Sequence, residues 1–331
     1  MAELYYDEHA DLAHLRGQTL AVIGYGNQGR AQALNLRDSG IEVTVGVRSD
    51  ETGAQAAEEG FRVLPIAEAA AEARILMVLI PDEVMPEVFQ REILPGLAPA
   101  KTLCFASGYT VAFKTVVPPE DVDVVMVAPR MIGAGVRQRF EEGRGFPSFV
   151  GVHQDFSGRA LQTCLAIARG IGSTKCGVLR LSFKAEAELD LFTEQAFGPA
   201  FGQVLLAAIQ TLVDAGYPAE AVLVELILSG EFAYSMQKIV ELGFFQQMEL
   251  HSHTSQYGSL TRSMRFMELM SARVAEAMKH VLEEIRTGSF SKEWEAEQRA
   301  GLPLFQQLRE LRHLHPIAEW DRKTREAFRL G

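Results

Sequence analysis

The feature that most narrows what this chain can fold into is an apolar run that stops abruptly at a spaced set of glycines. Leu20-Ala21-Val22-Ile23 leads into Gly24-Tyr25-Gly26-Asn27-Gln28-Gly29, and a helical pattern follows from Arg30 to Arg37. A buried strand, a Gly-x-Gly-x-x-Gly turn and a helix in that order make a phosphate cradle. Gly24 permits the tight turn, Gly26 lets backbone approach a pyrophosphate, and Gly29 lets helix and strand pack closely. The helix start adds unpaired N–H groups and the positive end of its dipole. A dinucleotide is therefore expected here; the bland alternative is an empty glycine turn.

Beyond the turn, short β-like runs alternate with helical patterns. Strands are expected over residues 19–23, 42–47, 75–80, 102–106, 123–127 and 148–152. Helices are expected near 28–38, 52–59, 66–72 and 82–93. That alternation reads as a doubly wound parallel sheet. From about Ser182 the texture changes to long helical patterns (183–215, 220–242, 263–287, 291–300 and 303–311). The expected fold class is an α/β Rossmann-type domain over residues 1–182 followed by an all-α domain over 183–331. A chain of 331 residues suits two domains.

The adenosine ribose should arrive at the end of the second strand, roughly 20 residues past the glycine turn. There Arg48, Ser49 and Thr52 suit a 2′-phosphate, whereas Asp50 or Glu51 suits a free 2′-hydroxyl and repels a phosphate. NADPH and NADH both stay open, beside the reading of a plain solvated loop.

The formal net charge of −11 argues against a nucleic-acid partner, which needs a basic face. Three cysteines, odd in number and without metal spacing, suggest a reducing cytoplasm, with Cys104 as a core thiol. The acidic N-terminus does not read as a signal peptide. No run of about 18 apolar residues stands out, so no membrane span is expected.

Glu186, Asp190 and Glu194 recur every four residues, hence on one helical face. Like charges at that spacing repel. A hard cation such as Mg²⁺ would compensate them; the alternative is a solvated acidic stripe. Glu225 lies inside an apolar run, where a lone carboxylate is costly. Gly230 disturbs its helix, in the manner of a bulge that brings Glu231 toward the face of Glu225. Two carboxylates from each of two helices would cage metal. The segment Leu250–Gly258 is dense in hydroxyls and imidazoles. It reads equally as a site for a small polar substrate or as a surface loop.

With these motifs in place, the chain resembles the ketol-acid reductoisomerase family. The likeness runs through Tyr5-Tyr6-Asp7, residues 22–29 and 33–40, Leu79-Ile80-Pro81-Asp82-Glu83-Val84, Val117-Pro118-Pro119 and Asp121-Val122-Asp123-Val124. It continues through Met126-Val127-Ala128-Pro129, Val152-His153-Gln154-Asp155, Asp190-Leu191-Phe192-Thr193-Glu194-Gln195, Tyr257-Gly258 and Lys292-Glu293-Trp294. The resemblance implies a knotted all-α second domain, Mg²⁺, and NADPH or NADH. It implies a small acetohydroxy or 2-keto acid substrate in branched-chain amino-acid biosynthesis: an alkyl shift, then hydride reduction. It also implies a homodimer with shared active sites. Tyr25, Gly26, Asn27 and Gln28 match the family's pyrophosphate turn. Asp82, Glu83, Val84 and Met85 match its cofactor-facing loop, and Gly133 matches a further cofactor contact. Asp190 and Glu194 match its first metal pair, and Ser252 its substrate serine.

Three departures stand out. The family's Phe-Ala-His-Gly is Phe105-Ala106-Ser107-Gly108, and a hydroxyl cannot shuttle protons near neutral pH as imidazole does. The family's lysine after Ala-Pro is Arg130, wider and planar, and the Pro-Gly-His that follows is replaced around Ile132-Gly133-Ala134. The family's second metal pair, Glu-x-x-x-Glu, aligns as Glu225 and Ser229 from one side and as Ile227 and Glu231 from the other. A two-residue insertion, Ser229-Gly230, keeps Glu225 and Glu231 as ligands. The expected roles are Arg130, Ser107, Ser252 and Glu231 in catalysis, with Asp190, Glu194, Glu225 and Glu231 on metal. Reduction of another keto or imino acid without isomerisation is the alternative, as is a decayed nucleotide-binding homologue. An ordinary β-hydroxyacid or imine reductase would share the glycine turn without needing Asp190 and Glu194.

Overall fold

The computed structural model describes residues 3–48 and 51–328. They divide into two compact units, one running through Leu189 and one from Asp190.

The first unit is built on a nine-stranded sheet. Its strands are β1 (Leu4–Tyr5), β2 (Leu20–Ile23), β3 (Val43–Val47), β4 (Arg62–Pro65), β5 (Ile75–Val78), β6 (Thr102–Phe105), β7 (Asp123–Pro129), β8 (Ser148–Gln154) and β9 (Val178–Arg180). Every residue of β2, β5, β6 and β7 is buried. Strands apolar on both sides need cover on both faces, which is what helices of a doubly wound sheet provide. Alternation does the rest: Leu20 and Val22 enter one core, Ala21 and Ile23 the other.

The spatial order is β1-β9-β8-β7-β6-β5-β2-β3-β4. β4 through β7 are mutually parallel. The chain leaves β2 toward β3 on one side and returns to β5 on the other, so a crevice opens at the ends of β2 and β5. The sheet is not wholly parallel, as the alternation had suggested. β8 runs antiparallel to β7, and β1 antiparallel to β9. The register explains β8: Pro129 at the end of β7 pairs with Ser148 at the start of β8. The intervening helix Gly133–Glu141 packs on the helix Asn27–Asp38, so the chain re-enters at the end it left.

One buried cation stabilises this unit. The Lys101 ammonium donates to the carbonyls of Ala70 (2.7 Å), Ala71 (2.7 Å) and Gly96 (2.9 Å). It thereby satisfies carbonyls near the end of the helix Ile66–Glu72. Burial pushes its pKa down. Cys104 and Cys164 are buried, and desolvation pushes their thiols up, that of Cys164 to about 12. They are inert core residues.

From Phe183 onward no strand occurs among the described residues. The helix Phe183–Asp214 carries a π-turn at Thr193–Phe197. Then come Ala219–Leu223, a second π-turn at Val224–Leu228, and the helices Glu231–Leu242, His253–Arg286, Ser289–Arg299, Pro303–His313 and Pro316–Phe328. The helix expected from residue 263 starts ten residues earlier, because the Ser252 hydroxyl accepts from Ser255 N–H and caps it. The helix expected over 220–242 is broken. Gly230 takes φ +80°, a left-handed conformation, and a new helix begins at Glu231.

One segment is more apolar than the sequence pattern suggested. Phe183–Asp214 is long and apolar enough to cross a membrane by length and composition, with a mean hydropathy of 1.5 over its best window, and 11% of that window is buried within the chain. Length and composition are weak grounds for a span. The second unit as a whole buries few apolar side chains: Leu191, Ala196, Ile209, Val222, Leu223 and Ile285 among the described residues.

Replacing Lys101 by Met leaves three carbonyls without their donor. We expect a loss of about 1–3 kcal/mol in chemical denaturation monitored on the first unit; an unchanged midpoint would contradict this role.

Candidate functional site

The crevice at the ends of β2 and β5 holds a cleft of about 500 Å³. Gly24, Tyr25, Gly26, Asn27, Gln28, Arg48, Thr52, Ile66, Leu79, Asp82, Met85, Ala106 and Ser107 are among its lining. The glycine turn is held tightly from beneath. Gly24 has φ +95°, and a Cβ there would meet Leu79 O at 2.7 Å. A Cβ on Gly29 would lie 2.1 Å from Gly24 O, whereas one on Gly26 meets nothing within 4 Å. Two glycines therefore shape the turn, and the third leaves its open side free for a ligand. Asn27 starts the helix Asn27–Asp38, so its dipole and free N–H groups face the same space.

Tyr25 lines the cleft, but its hydroxyl is engaged in the fold. It donates to Glu59 Oε2 at 2.5 Å, and Arg30 forks onto the same carboxylate at 2.5–3.1 Å. The bond to Arg30 is the main influence holding the Glu59 carboxyl below the ordinary range. Desolvation, then the bond to Glu59, pushes the Tyr25 phenol up. Glu59 lies about 30 residues from the turn, and nothing in the sequence pattern marked it.

The expected cofactor residues separate into three groups. Arg48, Thr52, Asp82 and Met85 line the cleft with the turn. Gly29, Glu83, Val84 and Gly133 are outside the lining; Gly133 packs so closely that a Cβ would meet Asn27 O at 2.0 Å. Ser49 and Asp50 lie outside the described residues.

Ser107 contributes to the cleft wall, and its Oγ accepts from Tyr109 N–H at 3.2 Å. The next residue binds a buried acid. Glu186, with its side chain fully buried, accepts from Gly108 N–H at 2.6 Å and from Arg130 Nη2 at 2.9 Å. Arg130 also stacks over Phe149, 5.0 Å from the ring centre. So Glu186 is not on a solvated stripe: its oxygens face an arginine and an amide. The signal that separates it from Asp190 and Glu194 is the loop it meets, which is remote in sequence.

In the second unit Asp190 is half-buried and Glu194 exposed, and Glu194 lies in the first π-turn. Glu225 lies in the second π-turn and is exposed, not buried as its apolar neighbours had implied. Ala221, Glu225 and Ser229, four residues apart, are exposed, while Val222 and Leu223 turn inward. Glu231 is the first residue of the helix beyond the Gly230 break, and its N–H donates to Ser229 Oγ at 3.3 Å. Among the described residues no three acidic, histidine or cysteine side chains converge to hold a metal within one chain. Ser252 caps its helix, and His251 Nε2 meets Gln247 Oε1 at 3.2 Å.

Fold and cleft together define a Rossmann-type oxidoreductase with a dinucleotide site. Two family descriptions match: "Acetohydroxy acid isomeroreductase, NADPH-binding domain" over residues 14–177 and "Ketol-acid reductoisomerase, C-terminal domain" over 183–329. The chain is 41% identical over 328 residues to the ketol-acid reductoisomerase (NADP(+)) of Methanocaldococcus jannaschii, 98% of either chain. It superposes on the structure of an NADH-preferring ketol-acid reductoisomerase from an uncultured archean with a TM-score of 0.92, at 36% identity and 98% coverage of both. A pyrroline-5-carboxylate reductase from Coxiella burnetii shares the fold alone, with a TM-score of 0.55 and 14% identity over 82% of this chain and 98% of that one. The chain belongs to the ketol-acid reductoisomerase family of NAD(P)H-dependent oxidoreductases.

Two variants of the turn should behave differently. Gly29→Ala forces backbone apart and should lower the melting midpoint. Gly26→Ala should keep the wild-type midpoint but weaken NADPH binding by about tenfold or more in a fluorescence titration. Equal loss of stability in both would contradict the geometry. Separately, Glu186→Ala leaves Arg130 without its carboxylate and should cost about 3–5 kcal/mol in urea denaturation; a loss under about 1 kcal/mol would argue against a paired buried acid.

Proposed function

We propose that this chain reduces a small 2-keto or acetohydroxy acid with NADPH or NADH and Mg²⁺, as a homodimer with shared active sites, in branched-chain amino-acid biosynthesis. The observation that carries the reading is the junction at residues 107–108. Ser107 lines the dinucleotide cleft, and its neighbour Gly108 is bonded to the carboxylate that holds Arg130. A cofactor bound in that cleft has the Ser107 hydroxyl in its wall, and Arg130 is linked to that wall through Glu186 and the Gly108 amide.

A chain of this family implies a divalent metal, and the donor set supports a hard one. Asp190 and Glu194 offer only oxygen, with no sulfur and no imidazole beside them in the helix. Among the described residues one chain does not bring three such donors together, and in this reading the remaining ligands come from a second copy, Glu225 among them. The sparse core of the second unit supports that partner. Phe197, Phe201, Phe244, Phe245, Phe266 and Met267 are all exposed in the single chain, and patches of this kind mark association surfaces. The apolar helix Phe183–Asp214 is then an interface element. The metal, when bound, polarises the substrate carbonyl as a Lewis acid.

The residues of the chain supply the rest. Arg130 offers N–H donors to substrate carboxylate or developing alkoxide. Its charge is offset by Glu186, so it acts more as a fixed donor than as a free cation. Ser252, at the start of a long helix, orients substrate. Ser107 accepts from Tyr109 N–H and keeps its own proton to donate into the cleft. A serine hydroxyl at position 107 does not relay protons near neutral pH as an imidazole does. That favours a second reading in which reduction proceeds but alkyl migration is weak.

Steady-state assays separate these readings. With Mg²⁺ and NAD(P)H, a preformed 2-keto acid should be reduced. Asp190→Asn should lower kcat by about 100-fold or more, and a chelator should abolish turnover reversibly. Rapid turnover of acetolactate itself would remove the reductase-only reading; chelator-resistant reduction would remove the metal from the mechanism altogether.

A further inference from the structure

We infer that the second acid-bearing helix presents Glu225 and the hydroxyl of Ser229 to the shared cation, and that Glu231 is not a metal ligand. The inference rests on the metal reading above and deepens it, by naming the donors that the second copy contributes. It is carried by the local backbone. Val224–Leu228 forms one π-turn, and Ser229 closes it: Ser229 N–H donates to Val224 O at 3.0 Å, and its own φ and ψ (−63°, −22°) are still helical. Glu225 and Ser229 therefore belong to a single hydrogen-bonded stretch of helix. Side chains four apart on such a stretch stand over one another. The burial pattern agrees. Ala221, Glu225 and Ser229 are exposed, whereas Val222 and Leu223 are buried and Leu226, Ile227 and Leu228 are half-buried against the core around Ile209.

Glu231 stands apart from that face. Gly230 adopts φ +80° and ends the stretch, and its N–H returns to Ile227 O at 3.2 Å. This is the closing turn of a helix C-terminus. Glu231 then opens a separate helix as its first residue. A carboxylate at a helix start has a structural use of its own, facing the positive dipole end. Its backbone N–H is tied to Ser229 Oγ at 3.3 Å, which holds the Ser229 hydroxyl in place while leaving a lone pair. A hydroxyl is a neutral oxygen donor, acceptable to Mg²⁺ but weaker than a carboxylate. With Asp190 and Glu194 from one copy and Glu225 from the other, the cage holds three negative charges in place of four.

Manganese binding to the intact protein tests this without turnover. Mn²⁺ alone is titrated by electron paramagnetic resonance and calorimetry, and folding of each variant is checked by circular dichroism. Glu225→Gln should weaken Mn²⁺ by about tenfold or more, and Glu231→Gln should leave it within about twofold of wild type. Ser229→Glu should tighten Mn²⁺ by about tenfold, because it adds the missing charge on the same face. Ser229→Ala, a smaller change at an exposed position, should weaken it by a few-fold. Loss with Glu231→Gln equal to that with Glu225→Gln, or no gain with Ser229→Glu, would overturn the assignment. If Asp190→Asn and Glu194→Gln leave Mn²⁺ binding intact as well, it is the metal reading itself that fails.

Discussion

The bond network of Glu186 is the constraint on which the rest depends. One buried carboxylate receives the Gly108 amide and the Arg130 guanidinium. Through the first it fixes the loop that carries Ser107 into the dinucleotide cleft. Through the second it sets where the one arginine of this network points. Through its own backbone it anchors the start of the helix that bears Asp190 one turn later. A buried acid is costly unless both oxygens are satisfied, so the Gly108 loop and the Arg130 side chain are held to one geometry.

The two units differ in how they are stabilised. The first has two continuous cores, one on each face of the sheet, and polar groups such as Lys101 and Asn35 are satisfied inside it. The second has many helices but a small core around Ile209, Val222 and Leu223. Domains of that size need far more buried apolar surface to offset chain entropy. Its exposed aromatic side chains would be covered in the proposed dimer. The proposed sharing of the active site between two copies fits this, because the elements that carry acids are the ones that need cover.

Much of this was legible in the residues. The central strands were readable because full burial makes them continuous apolar runs, and the glycine turn because its steric needs admit few substitutes. β1, β4 and β9 were not, since each is two to four residues long and owes its pairing to neighbours rather than to its own pattern. The antiparallel direction of β8 depends on where the helix Gly133–Glu141 packs, which periodicity does not record. Among site residues, Glu186 was visible as an acid but not as the partner of Arg130, because that pairing spans 56 positions. Glu225 is exposed despite its apolar run, because its apolar neighbours flank it in sequence but lie on other faces of the helix. Gly230 was seen as a disturbance, and its positive φ makes it a break instead of a bulge.

The central proposal is that acidic side chains of two copies together hold a divalent cation. Anomalous diffraction from crystals grown with Mn²⁺ and NADPH is its most direct test. The account predicts a manganese peak bounded by Asp190 and Glu194 of one copy and Glu225 of the other. A map in which those three carboxylates face solvent, with no anomalous density between them, would contradict it.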